Sequence, residues 1–241
     1  MESKWISRGR CPSCDSSDGY NVHSDGHAYC FSCKKRFNHV GEQQMTEKVI
    51  DINNKAVIKV SGQYDSIPDR RISEATTRKY KTSITKNGST ITHHYYQYFN
   101  AEGNHIANKV RQVEGKKIWS QGDMGDALLF GQNLFKSGGK YITIVEGEID
   151  AMSAYEMMGS KWAVVSIKNG AQSAVKNCKQ HLEYLNSFEN VVVCFDSDKQ
   201  GQEASQKVAQ LFEPNKCKIA RLDYKDANEY LKMGKAKEFV Q

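Results

Sequence analysis

The chain has 241 residues, of which 39% are hydrophobic and 26% charged, a composition typical of about one or two globular domains. It has no long apolar run and no apolar signal-peptide stretch, so we expect no membrane contact and predict a cytoplasmic protein. Residues 1–140 hold 21 Lys and Arg against 14 Asp and Glu. This uneven charge favours a polyanionic partner, although ordinary solvated surface is an alternative.

Two Cys-x2-Cys pairs lie near the amino terminus, with fifteen residues between them. Their members are Cys11, Cys14, Cys30 and Cys33. The spacing is typical of one zinc ion held by four thiolates, and such an ion is structural because no coordination position stays open. Disulfides or unrelated thiols are the alternative, which an intracellular setting disfavours. The other cysteines are predicted to be packing residues: Cys178, Cys194 and Cys217.

Between these pairs, Asp25-Gly26 predicts the turn of a hairpin, with His27 on the return strand close to the metal. A ribbon this small has little interior, so Asp25 and His27 are expected at its surface, where they could touch a single nucleic-acid strand. A supporting role for His27 behind the zinc ligands is the alternative. We predict a zinc-binding ribbon over residues 1–40 and a flexible linker over 41–60, because the latter is polar and without a clear period.

Residues 61–139 are predicted to form a basic part of mixed α and β structure. Ser73 is expected to cap a short helix, and strands are expected over 90–99 and 106–113 around a hairpin loop. Alternation places Lys109 and Arg111 on one face of the second strand, which would suit phosphate groups. A solvated outer face is the alternative.

From residue 140 onward, short apolar strands alternate with amphipathic helices. Strands are predicted over 141–145, 163–167, around Val191 and over 218–222, and helices over 149–158, 173–185, around Ala204 and from Ala227. This alternation predicts an α/β domain over 140–241 with a mainly parallel sheet and helices on both faces.

Acidic residues follow the predicted strands where each strand ends. They are Glu146 after the first strand, Asp196 and Asp198 after the third, and Asp226 after the fourth. Ligands of parallel sheets bind at this edge, and carboxylates spaced i, i+2 can converge on one divalent cation. A polar turn that caps a helix is the alternative for the Asp-x-Asp pair.

Two of these motifs carry a family resemblance. Val145-Glu146-Gly147-Glu148-Ile149-Asp150 and Phe195-Asp196-Ser197-Asp198 resemble the Toprim domain of bacterial-type primases, topoisomerases and some nucleases. The order of the cysteine ribbon, the basic middle, these two motifs and Lys225-Asp226-Ala227-Asn228-Glu229 resembles the primase half of the bifunctional primase-helicases of T-odd podophages. The pattern departs at Lys168-Asn169, where Gly-His is expected, and by one extra residue at Leu128-Leu129.

The resemblance implies a DNA primase, a nucleotidyltransferase that joins ribonucleotides on single-stranded DNA with the help of about two Mg2+ ions. It implies that Asp196, Asp198, Asp226 and Glu146 hold the magnesium, with Glu146 also a possible proton acceptor, and that Glu148 and Asp150 are weaker candidates. Ribonucleotide phosphates would contact Arg70, Lys109, Lys116 and Lys117, while Asp25 and His27 would help to read the template. A replicative helicase, fused or separate, and a DNA polymerase are the implied protein partners.

No G-x4-G-K-[ST] motif occurs, so we expect a primase fragment or a stand-alone primase without a helicase half. Two other functions remain open for this combination of motifs. A non-catalytic DNA-binding mediator of the RecR type also combines four zinc-binding cysteines with a Toprim domain, and a Toprim nuclease would use the same acids for hydrolysis.

Overall fold

The computed structural model describes residues 5–14, 16, 18–25, 27–37 and 61–241. The chain divides into two compact units, Met1–Val57 and Ile58–Gln241. The predicted linker over 41–60 lies outside the described residues. Among the described residues, no helix is long and apolar enough to cross a bilayer.

The first unit is a small antiparallel sheet in the order β1-β2-β3-β4. Its strands are β1 (Trp5–Gly9), β2 (Tyr20–His23), β3 (Ala28–Cys30) and β4 (Arg36–Phe37). Strands β2 and β3 pair through Tyr20 and Cys30 on either side of the predicted turn. The predicted ribbon with a hairpin between the cysteine pairs is therefore confirmed.

The second unit contains an antiparallel sheet in the order β5-β6-β7-β8. Helix α1 (Glu74–Lys79) precedes it, and the Ser73 hydroxyl accepts a hydrogen bond of 3.3 Å from the Thr76 amide, which confirms the predicted cap. The strands are β5 (Thr82–Asn87), β6 (Thr90–Phe99), β7 (His105–Gln112) and β8 (Ile118–Gly122). Strand β8 was not predicted, because all five of its residues lie at the surface and it lacks an alternating apolar pattern.

A parallel sheet in the order β10-β9-β11-β12 follows, as predicted. Its elements are β9 (Gly139–Val145), α2 (Glu148–Met157), β10 (Ala163–Ser166), α3 (Ala174–Gln180), α4 (Leu182–Asn186), β11 (Phe188–Cys194), α5 (Lys199–Ala209), β12 (Cys217–Ile219), α6 (Ala227–Met233) and α7 (Ala236–Val240). The predicted helix over 173–185 is two helices separated at His181, and the fourth strand ends at Ile219 rather than at residue 222.

Alternate strand residues of the parallel sheet contribute to two different cores. Val145, Val164 and Cys194 pack in the core that contains residues of α2 and α6, whereas Ile144 and Val193 pack in the core that contains residues of α3 and α5. Both faces are therefore covered by helices, as the uninterrupted apolar strands predicted.

The core on the α2 side continues into the basic part of the unit. Tyr80, Tyr96, Tyr98 and Phe130 belong to it, and the Tyr80 hydroxyl donates a hydrogen bond of 2.9 Å to the Val164 carbonyl. Residues 61–139 and 140–241 therefore share one core. The boundary predicted at residue 139/140 separates two sheets inside one compact unit.

Helix α5 approaches the end of β11 closely because Gly201 has no side chain. A Cβ atom at Gly201 would lie 2.2 Å from the carbonyl oxygen of Asp196. Only glycine permits this contact, which fixes the backbone of Asp196 against the first turn of the helix.

We expect Gly201→Ala to lower the free energy of unfolding by about 1–3 kcal/mol, the usual cost of overpacking. The sign is the test, since glycine to alanine within a helix otherwise stabilises by about 0.5–1 kcal/mol. The measurement is urea unfolding followed by circular dichroism. Gln206→Ala, at an exposed position of the same helix, is the control and should stay within about 0.5 kcal/mol of the wild type. Equal midpoints for both variants would contradict the close approach.

Candidate active site

Five carboxylates gather at the carboxyl ends of the parallel strands, and we call them the acidic cluster: Glu146, Asp150, Asp196, Asp198 and Asp226. The charge on Asp196 interacts with those on Glu146, Asp226 and Asp198. The charge on Asp150, in the first turn of α2, interacts with those on Asp226, Asp196 and Glu146. The four acids predicted from strand position thus come together, and Asp150, a weaker candidate, joins them.

Two members of the acidic cluster also cap helices. Asp198 accepts a hydrogen bond of 2.9 Å from the Gly201 amide at the start of α5, and Asp226 accepts one of 2.9 Å from the Glu229 amide at the start of α6. The capping alternative is therefore correct for Asp198. Capping and cation binding are compatible, since a carboxylate has two oxygens and the cap uses one of them.

Glu146 has a carboxylate oxygen that could bind a cation. Its Oε1 accepts a hydrogen bond of 3.2 Å from the Ala171 amide, whereas its Oε2 is buried and has no hydrogen-bond partner among the residues that the structure describes. Burial raises the pKa of this carboxyl group, and the nearby charge of Asp198 raises it further. A buried oxygen acceptor beside other carboxylates fits a hard divalent cation.

Burial and mutual repulsion also act on the aspartates. Burial, then the charges of Glu146 and Asp226, raise the pKa of Asp196 to about 7. Burial and the charge of Asp226 raise the pKa of Asp150 well above its ordinary range. Among the described residues, only cysteines form a compact cluster of possible metal ligands, so the carboxylates stay further apart than the thiols do. A divalent cation would favour the charged forms and draw these oxygens together.

The four predicted zinc ligands form that compact cluster. The sulfur atoms of Cys11, Cys14, Cys30 and Cys33 all lie within 4.8 Å of one another. The Cys11–Cys33 and Cys14–Cys30 Sγ distances are both 3.7 Å, close to the ~3.8 Å edge of a tetrahedron with Zn–S bonds of about 2.3 Å. They are far longer than a disulfide bond, and all seven cysteines are free, so the disulfide alternative is excluded.

His27 lies beside the predicted turn, and its described contacts are not to the cysteines. Its Nδ1 contacts a carboxylate oxygen of Asp25, and its ring stacks on that of His23 with 4.4 Å between centroids. None of these described contacts therefore supports the alternative in which His27 holds a zinc ligand in place. The structure does bring Asp25 and His27 together, at partly exposed positions.

The predicted phosphate-binding residues differ in what surrounds their charged groups. The Lys109 ammonium pairs with Oε1 of Glu148, which also accepts a 2.5 Å hydrogen bond from the Tyr98 hydroxyl. Arg70 donates a hydrogen bond of 3.2 Å to the side chain of Asn228. The other two lysines, Lys116 and Lys117, are exposed in the connection between β7 and β8.

Asn228 links several parts of the site, although sequence reasoning gave it no role. Its side-chain amide donates 2.9 Å hydrogen bonds to the Arg70 carbonyl and the Ser153 hydroxyl. Its backbone amide donates a hydrogen bond of 3.1 Å to Asp150. The only signal available was its position two residues after Asp226.

Comparisons with known proteins agree with this arrangement. Residues 143–231 match the family model described as Toprim-like. The DNA helicase/primase of enterobacteria phage T3 is 32% identical over 252 aligned residues that cover all of this chain, but the chain spans only 44% of that protein. The crystal structure of the primase fragment of the bacteriophage T7 primase-helicase is 31% identical, with a TM-score of 0.68, and the match covers 99% of this chain and all of that one.

The chain belongs to the T7-type primase family. A second T7 structure also matches, that of the lagging-strand DNA polymerase interacting with primase domains bound to an RNA/DNA hybrid and dTTP. That match is 34% identical with a TM-score of 0.67, and it covers 74% of this chain and 90% of the other. The recognition of the primase half of a podophage-type primase-helicase, and the Toprim fold with an amino-terminal four-cysteine β ribbon, are thus confirmed.

At Lys168-Asn169 the chain departs from the expected Gly-His, and the structure gives Lys168 a role. The Lys168 ammonium is buried and donates hydrogen bonds of 2.7 Å to the Ala127 carbonyl, 3.3 Å to the Gly125 carbonyl and 3.1 Å to the side chain of Gln180. Lys168 therefore fastens the loop that follows β8 to the parallel sheet. Asn169 beside it is exposed.

The pKa of Asp196 predicts how metal-free stability depends on pH. The folded value of about 7 exceeds the unfolded value of about 3.9. The native state therefore binds more protons in that interval, and stability should fall as pH rises from about 4 to about 7. Asp196→Asn should flatten this fall, whereas Asp223→Asn, an exposed carboxylate outside the cluster, should not. The measurement is the melting temperature with chelator, and added Mg2+ should raise it more at about pH 8 than at about pH 5. A flat wild-type profile would contradict the raised pKa.

The buried pair of Lys109 and Glu148 predicts a large effect on stability. Glu148→Gln leaves the Lys109 ammonium buried without a counter-charge, so we expect a loss of about 3–5 kcal/mol in urea unfolding. Adding Lys109→Met to this variant should recover most of the loss. Glu203→Gln, which removes one partner of the exposed pair with Lys199, is the control and should change stability by less than about 1 kcal/mol. A Glu148→Gln effect as small as that of the control would show that the pair is solvated.

Proposed function

We propose that this chain is a DNA primase, a DNA-templated RNA polymerase that makes short RNA primers on single-stranded DNA. The observation that carries the proposal is the acidic cluster, in which a Glu146 oxygen has no hydrogen-bond partner among the described residues, in a chain that aligns along its length with the T7 primase fragment. The reaction is nucleotidyl transfer, in which a 3'-hydroxyl attacks an α-phosphate and displaces pyrophosphate.

The chain's own groups suit this reaction. Glu146, Asp196, Asp198 and Asp226 would hold about two Mg2+ ions, which when bound stabilise charge on the attacking and leaving oxygens. Glu146 has a raised pKa and a buried oxygen to which no described residue donates a hydrogen bond, so it can accept the proton of the attacking hydroxyl. Arg70, held through Asn228 beside Asp150, would orient a nucleotide phosphate near the acids.

Lys109 differs from a solvated phosphate ligand because its ammonium is buried in an ion pair. Because its ammonium is paired with Glu148, a nucleotide phosphate would have to share or replace that carboxylate. Such an exchange would couple nucleotide binding to the first turn of α2, which begins at Glu148 and contains Asp150. Lys116 and Lys117 are both exposed, and one of the two stays a predicted nucleotide contact.

The zinc ribbon would select the template. One structural Zn2+ held by the four cysteines would keep its strands in register, and the partly exposed pair of Asp25 and His27 would contact template bases. The T3 relative is named a helicase/primase and the T7 structure contains a DNA polymerase, so a replicative helicase and a polymerase are the partners we propose. The site of action would be the host cytoplasm.

We expect Asp196→Asn and Asp198→Asn each to reduce primer synthesis by about 10²–10³-fold or more, the loss when one group that stabilises developing charge is removed. The assay supplies single-stranded DNA, ribonucleotides and Mg2+, and resolves short RNA on a gel. Glu189→Gln is the matched control, because Glu189 is an exposed carboxylate near the opposite end of the same strand, β11.

Each competing function has its own outcome in this assay. Nicked DNA without RNA would indicate a nuclease, and bound but unchanged DNA would indicate a mediator of the RecR type. Normal synthesis by Asp196→Asn would overturn the assignment of the acidic cluster.

A further inference from the structure

The two faces of the sheet formed by β5 to β8 have different surroundings. Tyr98 and Lys109 lie on the face that contacts Glu148 of α2, which we call the inner face. The opposite, outer face carries the alternate residues of the same strands. Register places Trp119, Val110 and Tyr95 in one cross-strand row on this outer face.

Aromatic rings form a continuous set on the outer face. The rings of Trp119 and His93 meet edge to face with 5.9 Å between centroids, and His93 lies 6.1 Å from Tyr95. The imidazole of His93 is oriented by the hydroxyls of Thr92 and Thr85, at 3.1 and 3.3 Å. Trp119 nonetheless stays 39% exposed, although Val110 beside it is fully buried. A fixed, half-exposed indole offers a flat surface on which a base can stack.

Cationic side chains lie at both ends of these rings. Lys117 is opposite Gln112, so alternation places it on the face of Trp119 and away from that of Lys109. At the other end, Gln97 donates a hydrogen bond of 3.3 Å to the Tyr64 hydroxyl, and Arg78 and Lys81 lie 5.4 and 5.8 Å from the Tyr64 ring. We call this set the aromatic track: Lys117, Trp119, His93, Tyr95, Tyr64, Arg78 and Lys81.

We propose that the aromatic track binds the single-stranded template outside the acidic cluster, with a base stacked on Trp119 and phosphates held by Lys117, Arg78 and Lys81. The proposal rests on the proposed primase function. Four strands at about 4.8 Å spacing give the track a width of roughly 14 Å, enough for a few nucleotides. Rings that stack on any base, with cations at both ends, fit a strand held without regard to sequence, unlike the selective contacts proposed for the zinc ribbon.

The first test measures the affinity of the whole chain for a fluorescein-labelled deoxythymidylate oligomer by anisotropy. Trp119→Ala should weaken binding about five- to 150-fold, the range for loss of one stacked base, and Trp119→Phe should retain most of the affinity. Trp162→Ala is the matched control, since Trp162 is 40% exposed on the parallel-sheet part of the same unit, and it should bind as the wild type does.

Salt dependence separates stacking from charge. The slope of log affinity against log salt should be unchanged in Trp119→Ala, because stacking releases no counterions. In Lys117→Ala the slope should fall by about 0.7, the value for one phosphate contact on a single strand. His93→Ala, which removes the ring against the indole, should weaken binding less than Trp119→Ala does. Unfolding curves for each variant show whether the fold is retained.

Failure of this proposal and failure of the primase assignment give different results. Asp198→Asn should lose synthesis and keep wild-type affinity for the oligomer, whereas Trp119→Ala should raise the template KM and keep kcat at saturating template. Equal oligomer affinity in Trp119→Ala, Trp162→Ala and the wild type would contradict the proposal that the aromatic track binds the template. That result would also be expected if a protein, rather than DNA, covered the outer face.

Discussion

Repulsion between carboxylates at the carboxyl ends of the parallel sheet is the constraint on which the rest of this structure depends. Burial and neighbouring charge raise the pKa values of Glu146, Asp150 and Asp196. The fold therefore keeps these carboxylates close together despite their mutual repulsion. The arrangement costs stability in the absence of a cation. A divalent ion bound there would offset that cost, so the repulsion that weakens the metal-free fold would also increase the affinity for metal.

Neutral backbone dipoles, more than protein cations, hold the acidic cluster in place. Asp198 and Asp226 each accept a helix-capping amide, and Asp150 accepts the amide of Asn228. The nearby cation Lys225 is 69% exposed and stands 3.9 Å from Asp226, so it neutralises little. Amide donors orient the carboxylates but leave their charge available for metal ions.

The antiparallel sheet serves two purposes because its strands alternate. Its inner face supplies Tyr98 and Lys109, which contact Glu148 and connect the basic part to the helix that carries Asp150. Its outer face presents Trp119 and the cations beside it to solvent. A single sheet can thus support the acidic cluster on one side and offer a binding surface on the other, since a period of two separates neighbouring side chains.

The sequence by itself determined the elements whose cause is local. Cysteine spacing predicted the four-thiol cluster, and apolar runs predicted parallel strands that alternate with helices. Strand ends predicted Glu146 and Asp196 at one edge, because parallel strands bring their carboxyl ends together. Tertiary structure alone decided the rest. The partner of Lys109 lies 39 positions away, and the contact of Asn228 with Arg70 spans 158 positions. The exposed strand β8 pairs with the edge of β7. No local pattern encodes such contacts, because their free energy depends on which distant groups are buried together.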